Sequence, residues 1–138
     1  MLTMKAKYAL RALNVLAEDT TGRLQNRVIA QRAGAPVKFL EAILLDLKKS
    51  GFIDSKRGAS GGYFLLKPAE TIMMGDIIRL FDGPLAPVRC ASVNFYEPCE
   101  YCTDNEKCQI RKTMRDVRDA MSRILDQTNI LQLSAVET

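Results

Sequence analysis

Four cysteines lie close together in the second half of the chain, and no other cysteine occurs in the sequence. Thiolates grouped in this way can hold Zn²⁺ or an iron–sulfur cluster, or can form a reversible disulfide. Spacing alone does not separate iron–sulfur from zinc binding, and the clustering disfavours the remaining alternative of inert, reduced cysteines. The spacing is C-x8-C-x2-C-x5-C, and the candidate ligands are Cys90, Cys99, Cys102 and Cys108.

The chain of 138 residues contains no histidine. This excludes Ser-His-Asp and Cys-His catalysis and any zinc site with a histidine ligand. No other catalytic constellation is evident, so we expect a protein that is not an enzyme. No stretch approaches the roughly 20 uninterrupted apolar residues of a membrane span. Charged residues interrupt the apolar N-terminus, which argues against a secretory signal, and we expect a cytoplasmic protein.

The charge is divided unevenly between the two halves of the sequence. Residues 1–67 carry 12 Lys and Arg against 5 Asp and Glu, whereas residues 68–138 carry 8 against 11. A basic half is typical of proteins that neutralise nucleic-acid phosphates, although charge alone more often marks a solvated surface.

Apolar periodicity and turn residues predict a mainly α fold built on a winged helix-turn-helix. Thr3 and Asn26 are predicted to cap the first and second helices, and Gly34 and Gly51 to end the second and third. Three glycines within residues 57–62 predict a hairpin tip that can approach another backbone closely. The helices are predicted over 5–18, 26–33, 37–50 and 71–81, and the hairpin strands over 52–56 and 63–67.

The C-terminal part is predicted to be a loop followed by one long helix. The segment from Thr103 to Glu106 has the S/T-x-x-E pattern of a capping box, so this helix is predicted to begin there and to run to about Gln127. We expect residues 1–67 to close their own small core, so the apolar stripe of the long helix favours a homodimer. The stripe is formed by Ile110, Met114, Val117, Met121 and Ile124. The predicted division is a DNA-binding domain 1–83, a cysteine-bearing loop 84–103, and a dimerisation helix with a C-terminal tail 104–138.

Several residues of the predicted helix-turn-helix and wing are candidates for contacts with double-stranded DNA. The exposed start of the third helix would meet base edges, and Glu41 could accept a hydrogen bond from a cytosine amino group. An arginine at the base of the wing, Arg57, could enter the minor groove. A winged helix used only for protein contact is the alternative, and the basic half favours DNA. The candidate DNA contacts are Lys5, Arg27, Val37, Lys38, Glu41, Lys56, Arg57, Ser60 and Gly61.

Five segments of this sequence closely resemble the Rrf2 family of bacterial transcription regulators, and the match covers nearly the whole chain. The RGxxGGY wing in register with the preceding YLExxLxxLxxxG-like helix is quite specific, with Phe39 in the place of the Tyr. The resemblance implies a homodimeric DNA-binding repressor or activator in which Glu41 and Arg57 take the base-reading positions. The segments are KAKYALRAL (5–13), FLEAIL (39–44), LKKSGF (47–52), RGASGGY (57–63) and GDIIRL (75–80).

The resemblance also bears on the cysteines, because the iron–sulfur members of the family use three of them, commonly spaced C-x5-C-x5-C. Cys102 and Cys108 match the second half of that pattern, and Cys90 matches its start by position, although the gap after it is longer. The family's fourth ligand is often a histidine, or an acid of the partner's first helix. Those positions are Arg111 and Lys7 here, and neither residue type coordinates the metal.

Cys99 is therefore our own candidate for the vacant fourth position, which would make the site all-cysteine. With the resemblance, an iron–sulfur cluster that senses redox or iron status ranks first, a thiol or disulfide switch second, and structural zinc third. A module that regulates an enzyme by protein contact is a further alternative from a different functional class.

Overall fold

A computed structural model describes residues 2–85 and 107–134, and it is a mainly helical fold with a small two-stranded wing. The predicted fold class is confirmed. Short 3₁₀ helices over Ala69–Thr71 and Ile130–Leu133 accompany five α-helices. The α-helices are α1 (Met4–Glu18), α2 (Asn26–Ala33), α3 (Val37–Lys49), α4 (Met74–Asp82) and α5 (Gln109–Leu125), and the strands are β1 (Ile53–Lys56) and β2 (Gly62–Leu65).

The helix-turn-helix forms because the apolar residues of α1, α2 and α3 share one core. Helix α1 packs against both α2 and α3, and its Ala9, Ala12 and Leu13 are fully buried. Gly34 ends α2 in the left-handed region, with φ of 69°, so that the chain turns directly into α3. The buried face of α3 consists of Leu40, Ile43, Leu44 and Leu47.

The wing is an antiparallel hairpin that is fastened to the segment before α2. Strands β1 and β2 pair from Ile53 opposite Leu65 to Lys56 opposite Gly62. Leu24 and Tyr63 exchange two backbone hydrogen bonds of 3.1 and 2.7 Å. A side chain at Gly62 would meet the backbone of Leu24, so only glycine allows this close approach.

The C-terminal segment returns to the helix-turn-helix and completes its core. Ile130 is fully buried, and its amide donates to the carbonyl of Ile72 at 3.0 Å. The side-chain amide of Asn14 in α1 donates to the carbonyl of Ile130 at 2.8 Å. The expectation that residues 1–67 close their own core is therefore wrong, because the single core also contains Ile72, Ile77, Ile78, Leu85 and Ile130.

One predicted cap and two predicted helix starts need correction. Helix α2 begins at Asn26 as predicted, but its N-cap residue is Gln25, and the side chain of Asn26 is bonded to Glu41. Helix α4 begins at Met74 instead of Thr71, since a 3₁₀ turn precedes it. Helix α5 begins at Gln109, later than predicted; the proposed capping box at residues 103–106 lies outside the described residues.

Helix α5 is an amphipathic helix whose apolar stripe is largely exposed in the described part of the chain. None of its 17 residues is buried. Ile110 is 68% exposed, Val117 39% and Ile124 66%. Among residues 2–85 and 107–134, no helix has the length and apolar character needed to cross a membrane.

Candidate DNA-binding surface and cysteine cluster

The first turns of α3 present an exposed face. Val37, Lys38 and Glu41 are all exposed, while Leu40 and Leu44 on the opposite side are fully buried. Burial of the second set fixes the rotation of the helix, so the first set must face outward. This is the arrangement that a recognition helix needs in order to enter a major groove.

A hydrogen bond between α2 and α3 orients the glutamate on this face. The side-chain amide nitrogen of Asn26 donates to Oε1 of Glu41 at 2.9 Å, and Oδ1 of Asn26 accepts from the amide of Arg27 at 2.8 Å. Arg27 itself is exposed. From the sequence Asn26 was predicted only to cap α2, because a fifteen-residue separation carries no local signal of this contact.

The wing tip places its candidate residues in solvent on a well-defined backbone. Lys56, Arg57 and Ser60 are exposed. Gly58 has φ of 110°, and a side chain at Gly61 would collide with the backbone carbonyl of Lys56. These two conformational requirements explain why Gly58 and Gly61 occur in the RGxxGGY motif of the wing.

Arg23 holds the wing tip from outside the hairpin. Its guanidinium donates to the carbonyl of Ser60 at 3.1 Å. Together with the Leu24–Tyr63 bridge, this contact ties the wing to the segment between α1 and α2. Arg23 was not among the predicted site residues, and no motif in the sequence identifies it.

A cleft of about 400 Å³ separates the start of α2 from the wing. Its lining includes three cationic side chains, Lys48, Lys56 and Arg57, together with Gly58 and Gly61 of the tip. Lys48 donates to Oγ of Ser55 at 2.8 Å, which directs its ammonium group towards β1. Positive charge concentrated beside the recognition face is suited to a nucleic-acid phosphate.

Lys5 is placed differently from the other candidate DNA contacts. Its ammonium group lies 3.2 Å from the carboxylate of Asp46 and 5.5 Å from the ring centroid of Phe81. Asp46 is in the later part of α3, whereas the exposed recognition residues are in its first turns. A phosphate contact by Lys5 stays a prediction, and it would have to compete with this ion pair.

Only one of the four cysteines lies among the described residues. Cys108 is the N-cap of α5, and its Sγ accepts a hydrogen bond from the amide of Arg111 at 3.5 Å. A helix N-terminus favours a thiolate over a thiol. Cys90, Cys99 and Cys102 lie outside the described residues, so their assembly around a metal stays a prediction. Within residues 2–85 and 107–134, no group of three potential metal ligands occurs.

An ion pair connects the end of α5 to α4. Arg79 makes two hydrogen bonds of 2.7 Å to the carboxylate of Asp126, the residue that caps α5. The hydrogen bond with Arg79 lowers the pKa of Asp126 below its usual value, and the same bond raises the pKa of Arg79. A side chain at Gly75 would collide with this carboxylate, which explains the glycine of the GDIIRL segment.

Comparison with known proteins identifies relatives along nearly the whole chain. The family Rrf2, described as iron-dependent transcriptional regulators, matches residues 2–135. An rrf2-like HTH-type transcriptional regulator of Rhodobacter capsulatus is 46% identical over 121 residues, covering 85% of this chain and 81% of that protein. The HTH-type transcriptional regulator IscR of an Enterobacter species is 31% identical over 133 residues, covering 96% and 78%.

Solved structures show the same fold. CymR, the global cysteine regulator of B. subtilis, superimposes with a TM-score of 0.77 at 31% identity, covering 97% of this chain and 95% of that one. T. potens IscR, at 23% identity, has a TM-score of 0.75 with 100% and 93% coverage and supports the fold alone. On the family match and these relatives, the chain belongs to the Rrf2 family of transcriptional regulators.

Proposed function

We propose that this chain is a cytoplasmic, homodimeric regulator that binds a double-stranded DNA operator through α3 and the wing. The proposal is carried by one observation: Asn26 bonds Glu41 on the exposed face of α3 and lines a cleft with Lys56 and Arg57 of a wing whose backbone is fastened to the helix-turn-helix. Lys38 and Glu41 supply a cation and an acceptor on the face that would meet bases. Arg27, Lys56 and Arg57 supply exposed positive charge for phosphates or the minor groove.

Dimerisation is supported by the exposed stripe of α5. An apolar seam with 4-3-4-3 spacing suits packing against a second helix, and the described part of a single chain leaves this seam uncovered. Two helix-turn-helix units held at a fixed distance would read two half-sites of an operator. The partner that we propose is a second copy of this chain.

The four cysteines are proposed to hold an iron–sulfur cluster. The donor set fits such a group, because Cys90, Cys99, Cys102 and Cys108 are four thiols in a chain that has no histidine, and Cys108 caps a helix N-terminus. When bound, the cluster supplies a link among these cysteines that depends on redox state or on iron supply. Cys108 joins that link to the first turn of α5, so the state of the cysteines bears directly on the helix proposed to set the spacing of the two DNA-binding units. A thiol or disulfide switch and structural zinc are the competing states of the same residues.

The DNA-binding proposal is tested by selecting a duplex from a random library and measuring its affinity at several salt concentrations. Binding should fall steeply as salt rises, because phosphate contacts release counterions. Substituting Arg57 by Ala should weaken the selected duplex about tenfold and leave the oligomeric state unchanged. Arg32→Ala is the matched control, since this exposed arginine of α2 lies in a different groove with residues of α1. Failure of the wild-type chain to retain any duplex would refute DNA binding.

The cysteine proposal is tested on protein purified without oxygen. We expect a brown protein with broad visible absorption and measurable iron and sulfide. Cys99→Ser should reduce the iron content if the site is all-cysteine, whereas retention of the full cluster would mean that three cysteines suffice. A colourless sample with stoichiometric zinc would support the structural alternative, and a metal-poor sample with reversible disulfides would support the thiol switch.

A further inference from the structure

Asn26 and Glu41 form a hydrogen-bonded pair that the proposed recognition mechanism does not use. Both ends of the Asn26 amide are engaged: Oδ1 accepts from the amide of Arg27 at 2.8 Å, and the nitrogen donates to Oε1 of Glu41 at 2.9 Å. Because the oxygen needs a donor and the nitrogen an acceptor, the two bonds select one orientation of the amide. The amide therefore holds one carboxylate oxygen of Glu41 at a defined place.

The carboxylate remains chemically available after this contact. Glu41 is exposed, and within residues 2–85 and 107–134 no lysine or arginine forms an ion pair with it. An ionised carboxylate only accepts hydrogen bonds and has two oxygens. With Oε1 engaged by Asn26, Oε2 can accept a hydrogen bond from another donor.

We propose that Asn26 is a positioning residue that orients Glu41 for base reading and thereby sets how strictly this chain discriminates bases at one position of each half-site. The inference rests on the proposed function. A free glutamate side chain samples several rotamers, and fixing it on binding opposes association. The bond from α2 fixes the rotamer beforehand and directs a lone pair at an exocyclic amino donor, as cytosine presents in the major groove.

The position of Asn26 explains why its side chain is available for this role. As the first residue of α2 it is not the N-cap, a position taken by Gln25; its Oδ1 accepts from the amide of Arg27, and its side-chain nitrogen remains available to donate to Glu41. Its contact with Glu41 lies between the two helices of the helix-turn-helix, fifteen positions apart in sequence. The bond thus links the helix that supports recognition to the helix that performs it.

The test is a comparison of base preference across variants of the full chain. Wild type, Asn26→Ala, Glu41→Ala and the double variant are each offered duplexes that differ from the selected operator at one base pair, at fixed salt. Glu41→Ala should lose about tenfold discrimination at one position of each half-site. Asn26→Ala should lose about threefold or more at the same position, and should lose nothing further in the Glu41→Ala background.

A matched control separates positioning from a general effect on DNA affinity. Gln31→Ala removes an exposed amide of α2 that lies in the groove with α1 and not in the wing cleft, and it should leave the base preference unchanged. Asn26→Asp, which places a second carboxylate against Glu41, should lower discrimination at least as much as the alanine variant. Thermal unfolding of every variant verifies that the fold is retained.

The experiment gives one result if this inference fails and a different result if the proposed function fails. Wild-type protein that binds no duplex would refute both. Wild type that discriminates bases while Asn26→Ala does so equally well would refute the positioning role and leave the proposed function standing. Equal loss of affinity for all duplexes in Asn26→Ala, or full additivity with Glu41→Ala, would assign Asn26 to phosphate binding or to folding and would also overturn the inference.

Discussion

Helices α1 and α5 are both amphipathic and similar in length, but they relate to the fold in opposite ways. Helix α1 has 15 residues, of which seven are buried against the other elements. Helix α5 has 17 residues, none of them buried, and it is joined to α4 at its C-terminal end through Arg79 and Asp126. An amphipathic pattern therefore packs into the core in α1, whereas in α5 it leaves an apolar face exposed.

The difference follows from the width of the apolar stripe. In α1, small and large apolar residues occupy enough of the circumference for α2, α3 and α4 to pack around it, with Ala6, Ala9 and Ala12 allowing close approach. In α5 the apolar positions form a narrow seam between charged residues, which suits one neighbouring helix and not a surrounding core. We therefore infer that α1 stabilises the fold of the DNA-binding unit, and we propose that α5 forms the dimer interface.

We expect the largest effect from a charge placed in the middle of the α5 seam, which tests the proposed contrast between α1 and α5. Val117→Glu should convert the proposed dimer into a monomer, because an unpaired carboxylate would be buried between the two helices. Operator affinity should fall by at least about a hundredfold, since two half-sites would no longer be bound together. Sedimentation velocity and DNA binding, measured on the same samples, provide the readout.

A control on the same helix separates the seam from a simple change of charge. Gln109→Glu also adds one negative charge to α5, at an exposed position outside the seam. It should leave both the oligomeric state and operator affinity unchanged. A Val117→Glu protein that remains dimeric would show that the seam is not the interface.

The contrast between the two helices also shows what sequence reasoning could reach. Both helices were predicted from apolar periodicity, and α2, α3 and the wing were placed within one or two residues of their observed bounds. Local signals sufficed there: Gly34 ends a helix in the left-handed region, and Gly62 permits the wing to approach Leu24. The exposed face of α3 could also be predicted, because a helix that buries one side in a small domain exposes the other.

Contacts between distant residues were beyond the reach of local patterns. Ile130 completes the core from a segment that looked like a tail, because a short 3₁₀ helix has no periodicity to detect. The bonds of Asn26 to Glu41 and of Arg23 to Ser60 join residues far apart in sequence, so neither partner alone indicates the pair. The start of α5 was misplaced because the S/T-x-x-E pattern at residues 103–106 was predicted to open the helix, whereas the helix begins at Gln109 with Cys108 as its N-cap.

The second prediction concerns the return of the chain to the core beyond α5. Ile130→Ala should destabilise the folded protein by about 2–5 kcal/mol, because it removes a fully buried side chain and leaves a cavity. The measurement is urea unfolding in the Val117→Glu background, where dimerisation does not contribute. Ile124→Ala is the matched control: this isoleucine is 66% exposed, so its truncation should cost no more than about 0.5 kcal/mol there. Equal costs would show that α5 is packed as fully as the core.

This packing also limits the use of deletion as a test of dimerisation. Truncation after residue 104 would remove Ile130 together with α5, and a loss of dimer would then be inseparable from a loss of folding. Single substitutions in the seam keep Ile130 in place. They distinguish the proposed dimerisation through α5 from the contribution of Ile130 to the core.

The third and smallest prediction concerns the junction between the two regions, where Arg79 holds Asp126. The folded-state pKa of Asp126 is lowered, mainly by its hydrogen bond with Arg79, so the ionised carboxylate stabilises the folded state. That contribution is fully present above the unfolded pKa of about 3.8 and is lost as the pH falls through the lower folded value. Asp126→Asn should therefore reduce the free energy of unfolding at pH 7, and the difference from wild type should shrink below about pH 3.8.

The size of this effect is limited by solvent. The Asp126 side chain is 40% exposed, so water and salt screen the pair, and we expect a loss of about 0.5–1 kcal/mol at pH 7. Asp76→Asn is the control, because Asp76 lies 3.8 Å from Arg79 and is more exposed, so its loss should be smaller. Urea unfolding at pH 7 and pH 3 in the Val117→Glu background provides the comparison. A difference that is the same at both pH values would mean that the charge of Asp126 does not stabilise the junction, and the attachment of α5 would then depend on the neighbouring backbone contact between Met74 and Thr128.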